Sequence, residues 1–282
     1  MSSDPLLDAR LADLDAQLRG LGSVLVAFSG GTDSAFVLAA AARALGADRV
    51  VAGTAVSASL AAGELDDARA FAAGLGVPHE VVHTEEMAQD GYRANAGDRC
   101  YFCKAELLDV LGPLAERLDV AAVATGTNAD DAVAGFRPGI RAAAERGAVT
   151  PLRDAGLTKA QVRAASREWG LVTWDKPAAA CLSSRIAFGV SITPSRLARV
   201  DRAESALRDA LTAAGYDVGN LRVRDLGDDG ARVEVDRDLV DVLAARSDLL
   251  AVVDGFPSVS VDPRGFRSGS MNELLPEPAR YR

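Results

Sequence analysis

Two groups of residues in this chain carry side chains and spacings suited to chemistry. The first is Ser29-Gly30-Gly31-Thr32-Asp33-Ser34, which directly follows the apolar run Val24 to Phe28. Adjacent glycines allow positive φ and close approach of a ligand to the backbone, and small hydroxyl and carboxylate residues suit the start of a helix. Amides at a helix start attract anions, so the segment reads as a phosphate-binding turn. The Walker form of such a loop places lysine and then Ser or Thr after its last glycine; here Thr32 and Asp33 stand there, which excludes an ordinary P-loop. Asp33 is the candidate acceptor for a metal ion or water. The alternative is a tight strand-to-helix turn with no ligand.

The second group is the cysteines. Cys100 and Cys103 form CYFC, followed by Lys104, near a predicted helix start, where the helix terminus and the cation would favour thiolate. CxxC alone fits redox chemistry, zinc, part of an iron–sulfur cluster, or two buried structural thiols. Cys181 stands alone in AACLSSRIAFG, flanked by Lys176 and Arg185. It could act as nucleophile or soft-metal ligand, or be an inert small hydrophobe. Three cysteines could hold three irons of a cubane and leave the fourth open, whereas zinc needs a fourth protein ligand. His79 and His83 flank a strand-like segment at a spacing that separates them on a strand, and no role is assigned to them.

These residues must be positioned by alternating strands and helices. Helical spacing over Leu6–Leu18 precedes the first buried strand; helices are predicted over Ala35–Leu45, Glu64–Leu75 and Cys103–Leu118, with strands over Arg49–Val56, Glu80–Val82 and Val120–Thr125. This alternation predicts a doubly wound parallel sheet of the α/β class, with ligands at the carboxyl ends of the strands. Beyond Trp174 a Pro- and Ala-rich link is followed by a helix from Pro194 to Ala214, a hairpin pairing Leu221–Arg224 with Ala231–Val235, and a helix from Asp236 to Leu250. A second, smaller α+β domain is expected there.

The chain has 282 residues, 49% hydrophobic and 25% charged, with a formal net charge of −9. That acidic balance disfavours bulk nucleic-acid binding. No apolar stretch is long enough to span a bilayer and no signal peptide is visible, so a soluble protein with a cytoplasmic location is expected. Three cysteines are too few for a disulfide framework.

Taken together, SGGTDS, RCYFCK, GTNADD with RPG, KPAAACLSSRI and FRSGSMNE resemble the LarE family of ATP-dependent sulfur transferases, within the PP-loop ATP pyrophosphatase superfamily. The motifs run from residue 29 to residue 273. The resemblance implies a PP-loop domain over residues 1–176, a link over 177–190 carrying the active-site cysteine loop, and a C-terminal α+β substrate or oligomerisation domain over 191–282. It implies ATP and Mg²⁺, cleavage of ATP to AMP and pyrophosphate, and adenylation of the carboxylates of pyridinium-3,5-biscarboxylic acid mononucleotide before conversion to thiocarboxylates in nickel-pincer nucleotide synthesis. Cys181 matches the cysteine that some members sacrifice to dehydroalanine. The three-cysteine pattern is similar to a subtype in which Cys100, Cys103 and Cys181 hold a [4Fe-4S] cluster. Ser29, Gly30, Gly31, Asp33 and Ser34 would bind ATP. Asn128 and Asp130 could orient substrate or metal or simply form an Asx turn, and Arg137 could neutralise a phosphate. By resemblance, Ser184, Arg185, Glu204, Arg224 and Arg267 line the nucleotide-substrate site. Where the family often has a histidine after RVR, Asp225 and Leu226 stand. Homo-oligomers occur in the family and one is expected, without a membrane or nucleic-acid partner. A PP-loop tRNA thiolase and a non-catalytic nucleotide-sensing module are the alternatives; the acidic balance weighs against the first.

Overall fold

The computed structural model describes residues 4–133, 138–177 and 180–275. Helix α1 (Pro5–Leu21) leads into β1 (Val24–Ala27), α2 (Thr32–Leu45), β2 (Val50–Val56), α3 (Glu64–Gly74) and β3 (His79–His83). The short α4 (Asp90–Arg93) and long α5 (Arg99–Arg117) precede β4 (Val123–Ala124), after which come α6 (Ala129–Val133), α7 (Pro138–Glu145), α8 (Pro151–Asp154) and α9 (Lys159–Glu168). The remainder comprises α10 (Pro194–Ala213), β5 (Leu221–Asp225), β6 (Ala231–Val235), α11 (Arg237–Ala245), α12 (Ser247–Leu250) and β7 (Val259–Val261).

The first sheet is parallel with order β3-β2-β1-β4. Its central strand, Val-Leu-Val-Ala, is buried at every position, as expected of a strand covered on both faces. Helix α2 is buried on almost all sides because its run of alanines lets it lie close against the sheet, α1 and α9. Thr158 caps α9 in a capping box with Gln161, fixing where that helix starts. The strand order reverses between β1 and β4, which opens a crevice beyond their carboxyl ends.

The second sheet pairs β5 with β6 antiparallel and β6 with β7 parallel. It packs on α10, α11 and α12 around its own core of Leu207, Leu211, Leu221, Val223, Val233 and Leu243. Between the two cores a third apolar cluster, built on Tyr92, Leu182, Ile186, Ile192, Leu197 and Val200, joins α4 to the loop around Cys181 and to α10.

Several expected boundaries shift. Helix α2 begins at Thr32 rather than Ala35, and α5 at Arg99 rather than Cys103, so Asp33 and both CYFC cysteines lie within helices. The single helix expected over Asp236–Leu250 is two, broken at Arg246, whose extended backbone ends α11. Strand β7 and helices α7 and α9 were not foreseen, although both helices are amphipathic; each is short.

Candidate functional site

Gly30 has φ +70° and Gly31 caps α2 with no side-chain partner, so no side chain competes for the first N–H groups of that helix. The loop closes on itself instead. Ser34 Oγ donates to Gly31 O at 3.1 Å and accepts from the Ser29 N–H at 3.3 Å, while the two serine hydroxyls lie 3.1 Å apart. On the far side, a Cβ at Gly126 would meet Ser34 N at 2.8 Å and Asp33 C at 3.0 Å, so only glycine lets the loop after β4 approach the start of α2 this closely. Ala27 to Ser29, Gly31 to Ser34, Gly53 to Ala55, Gly126, Thr127 and Asp131 surround a cavity of about 440 Å³, with Lys104 and Lys159 on its wall, while Gly30 faces a separate pocket beside Phe71 and Thr173. Its size lies in the range of small-molecule sites.

Asp33 is the charged centre of this cavity. Its Oδ2 accepts from Lys159 Nζ at 2.6 Å, and its Oδ1 is buried with no partner in hydrogen-bonding geometry among the described residues. Burial pushes the Asp33 carboxyl above the ordinary aspartate range; Lys159 pulls it down, Asp131 pushes it up, and Asn128 pulls it down. A buried orphan oxygen beside a second carboxylate is what a divalent cation would satisfy. Lys104 is lowered by burial, offset by Cys103, Cys100 and Asp131.

A second cavity, of about 710 Å³, continues from the first across Ser29, Ala55, Leu60, Leu107, Pro177 and Ala180, which line both. Cys103, Cys181, Glu86, Arg185, Arg208 and Arg222 line its remainder. Burial pushes the Cys103 thiol up, and Cys181, Glu86 and Cys100 add to the push against Lys104. The thiolate expected from the helix terminus is therefore corrected for Cys103: desolvation outweighs the dipole once the residue lies a full turn inside α5. Lys176 is also turned away from Cys181, because its Nζ pairs with Glu64 Oε2 at 2.9 Å and Asp67 Oδ2 at 3.3 Å.

The loop bearing Cys181 is held on one side by Arg185. This buried guanidinium forms a two-pronged pair with Glu204 at 2.9 and 3.1 Å and donates to the carbonyls of Cys181 and Ala180. Glu204 also accepts the Val223 N–H, so one carboxylate ties the cysteine loop to α10 and β5. Arg224 is bound to Glu234 Oε2 through two nitrogens at 3.0 and 2.7 Å, and reaches the Ser184 carbonyl at 3.2 Å. With Arg99, Arg222, Ser184 and Ser270 it lines a small cavity of about 130 Å³. Burial and the neighbouring Arg185 hold the Arg222 guanidinium down to about 10, with Arg224 and Arg208 acting the same way against Glu204. So much concentrated positive charge favours an anion.

Other expected residues lie elsewhere. Asp130 accepts the Lys159 N–H at 2.8 Å and so caps α9, while its neighbour Asp131 faces the first cavity. Asn128 Oδ1 accepts the N–H groups of Asp130 and Asp131 in an Asx turn, and the same side chain also acts on Asp33 from beside the first cavity. Arg267 pairs with Glu273 at the surface and lines none of these cavities. Arg137 lies outside the described residues. Asp225, standing where the family often has histidine, is buried between Arg196 and Arg199. Lys159, Asp131, Arg222 and Glu86 were not foreseen: Lys159 and Glu86 are lone charges far from any motif, and Asp131 and Arg222 stand beside the motif residues, Asp130 and Arg224, that were chosen instead. Among the described residues, no three His, Cys, Asp or Glu side chains already converge in a metal-ligating arrangement, and no helix is long and apolar enough to cross a membrane.

Residues 7–184 match the family described as asparagine synthase. The chain is 42% identical over 275 residues to an uncharacterized protein of Synechocystis sp., an alignment covering 96% of this chain and 99% of that one. It is 34% identical over 278 residues to the pyridinium-3,5-bisthiocarboxylic acid mononucleotide synthase of Lactiplantibacillus plantarum, covering 95% and 96%. A shorter match, 28% over 176 residues, is to an uncharacterized protein of Methanocaldococcus jannaschii and covers 62% and 66%.

Proposed function

The chain belongs to the LarE family of ATP-dependent sulfur transferases, and from that premise we propose that it adenylates the carboxylates of pyridinium-3,5-biscarboxylic acid mononucleotide and replaces a carboxylate oxygen with sulfur. The observation that carries this reading is the shared wall between the two cavities, which puts a nucleotide-sized space beside Cys103 and Cys181, with Cys100 exposed one helical turn away.

A substrate carboxylate oxygen attacks the α-phosphorus of ATP, the bond to the β-phosphate bridge breaks, and pyrophosphate leaves. The open amides of α2 bind the departing phosphates, and Lys159 and Lys104 offset their charge. Asp33 and Asp131 are the residues that would hold Mg²⁺, whose chemistry is to draw charge from the phosphate oxygens. The acyl-adenylate then reacts with a sulfur nucleophile at its carbonyl carbon; the carbon–sulfur bond forms and the bond to AMP breaks. Arg185, Arg208 and Arg222 face the cavity where the substrate's other anionic groups would lie, with Ser184 and Arg224 beyond them.

Cys100, Cys103 and Cys181 have the donor chemistry for a [4Fe-4S] cluster: soft thiols from two elements, with Cys181 and Cys100 both near enough to Cys103 to act on its thiol. Such a cluster would supply a transferable sulfide. The protein's part is then to hold the thiols, exclude water and present the acyl group. We also propose a homo-oligomer, as in the family.

Pyrophosphate release should require both ATP and the pyridinium dicarboxylate; release without the dicarboxylate, or none with it, would overturn the activity. Anaerobically purified protein should contain iron and acid-labile sulfide, with the mass of Cys181 unchanged by turnover. Absence of both, with loss of one H₂S at Cys181, would assign the sulfur to the cysteine itself.

A further inference from the structure

Arg99 precedes Cys100 at the start of α5, and its side chain is 6% exposed. One guanidinium nitrogen donates to Asn95 Oδ1 at 2.6 Å and to the carbonyl of Ser183, two residues past Cys181, at 2.9 Å. The guanidinium also lies 5.6 Å over the Phe188 ring in the same loop. Around this bridge the segment 92–99 fastens the loop throughout. Asn95, held at φ +51°, donates through Nδ2 to the carbonyls of Ile186, Ala187 and Val190 at 3.3, 2.8 and 3.0 Å and accepts the Gly189 N–H through its own carbonyl. Tyr92 Oη and Ser183 Oγ are 2.5 Å apart. A buried cation satisfied by loop carbonyls rather than by a carboxylate is costly unless its geometry is needed.

We propose that Arg99 is a positioning residue that sets the distance between the CYFC helix and the loop of Cys181. Its backbone is bonded to Cys100 and its side chain to the turn that follows Cys181, so one residue fixes both ends of the gap. The purpose assigned to that gap, gathering thiols for sulfur transfer, rests on the function proposed above, but the spacing itself can be measured without it.

In protein carrying Cys100→Ser, two cysteines remain, Cys103 and Cys181, both lining one cavity. Dibromobimane becomes fluorescent only when two thiols displace both of its bromides, and it bridges only thiols held close together. The parent should cross-link, and R99Q should lower the yield at least fivefold while monobromobimane still labels both thiols. A yield within twofold of the parent, or no cross-link in the parent, overturns the proposal. Should R99Q fail to fold, R99K is read in its place: its single ammonium keeps the charge but loses the planar bridge, and a parent-like yield again overturns it. Iron and sulfide are measured separately in the three-cysteine protein. Their absence there, with cross-linking still dependent on Arg99, removes the cluster and leaves the positioning role standing.

Discussion

Lys159 Nζ is 2.6 Å from Asp33 Oδ2, whereas Asp33 Oδ1 is buried and, among the described residues, has no partner in hydrogen-bonding geometry. The lysine therefore neutralises half of a carboxylate whose other oxygen is reserved. Asp33→Asn should keep the fold but reduce pyrophosphate release by about 100-fold or more, the scale of removing a group that acts on transition-state charge. Lys159→Met should lower the rate less and change its dependence on Mg²⁺ concentration. Initial rates over a Mg²⁺ titration check both, and an unchanged rate for the asparagine variant would remove Asp33 from the reaction.

Gly126→Ala brings a methyl group to 2.8 Å from Ser34 N, a backbone atom that cannot swing aside. The loop must shift, and a small misplacement at a phosphate cradle can cost about 100-fold. The expected result is a large rise in KM for ATP with thermal stability nearly retained.

Glu204 pairs with Arg185, which is 4% exposed, and also accepts the Val223 N–H. Glu204→Ala leaves a buried cation unpaired, so unfolding free energy should fall by about 3–5 kcal/mol. Denaturant titration gives the value, and Glu204→Gln should cost less because one acceptor remains.

His79 supplies a pH dependence. Thr54 Oγ1 donates its only hydrogen to Phe28 O at 2.8 Å, so the 2.7 Å contact from His79 Nε2 must be a donation to Thr54. Nδ1 is then the deprotonated nitrogen, and among the described residues it is buried without a partner. Burial, then Arg69, lowers the histidine below its ordinary value of 6.5, partly offset by Glu80. The unfolded chain therefore takes up the proton first as pH falls, and stability is lost from about 6.5 downward until the folded form also protonates. His79→Phe should flatten this part of the stability–pH curve; an unchanged slope between pH 7 and 5 would refute the assignment.

Replacing Cys100 and Cys103 together by Ser should abolish repeated turnover while leaving ATP binding intact, because neither residue lines the nucleotide cavity. Turnover counts beside equilibrium ATP binding separate the two effects.

The sheet and the phosphate loop were legible because each is encoded locally: an unbroken apolar strand, two glycines, then a helix-forming run. Helix starts were less so, since Thr32 to Ser34 and Cys100 to Phe102 are not strong helix formers and are recruited by tertiary packing. Asp131 and Asp130 are indistinguishable in sequence, and only the placement of α9 decides that one faces the cavity and the other caps a helix. Lys159 is 126 residues from its partner Asp33, and nothing local marks such a pair. Arg185 and Arg224 were singled out as anion binders, yet each is first engaged by a carboxylate, Glu204 partly buried and Glu234 fully so. Arg222, one strand residue before Val223, lines two cavities and had drawn no notice.

The fastening of the Cys181 loop also bears on how the protein is made. Chains fold from the N-terminus as they are synthesised, and the nucleotide cavity is walled almost entirely by residues up to Lys159. The loop of Cys181 is gripped from both directions of the chain: by Tyr92, Asn95 and Arg99, which precede it, and by Glu204 through Arg185 and the Asp225 carbonyl, which accepts the Ala187 N–H. The last two partners emerge later than the cysteine they steady. The nucleotide half can thus take shape with the third thiol held from one side only, so completion of the cysteine site is a late event that waits for α10 and the second sheet.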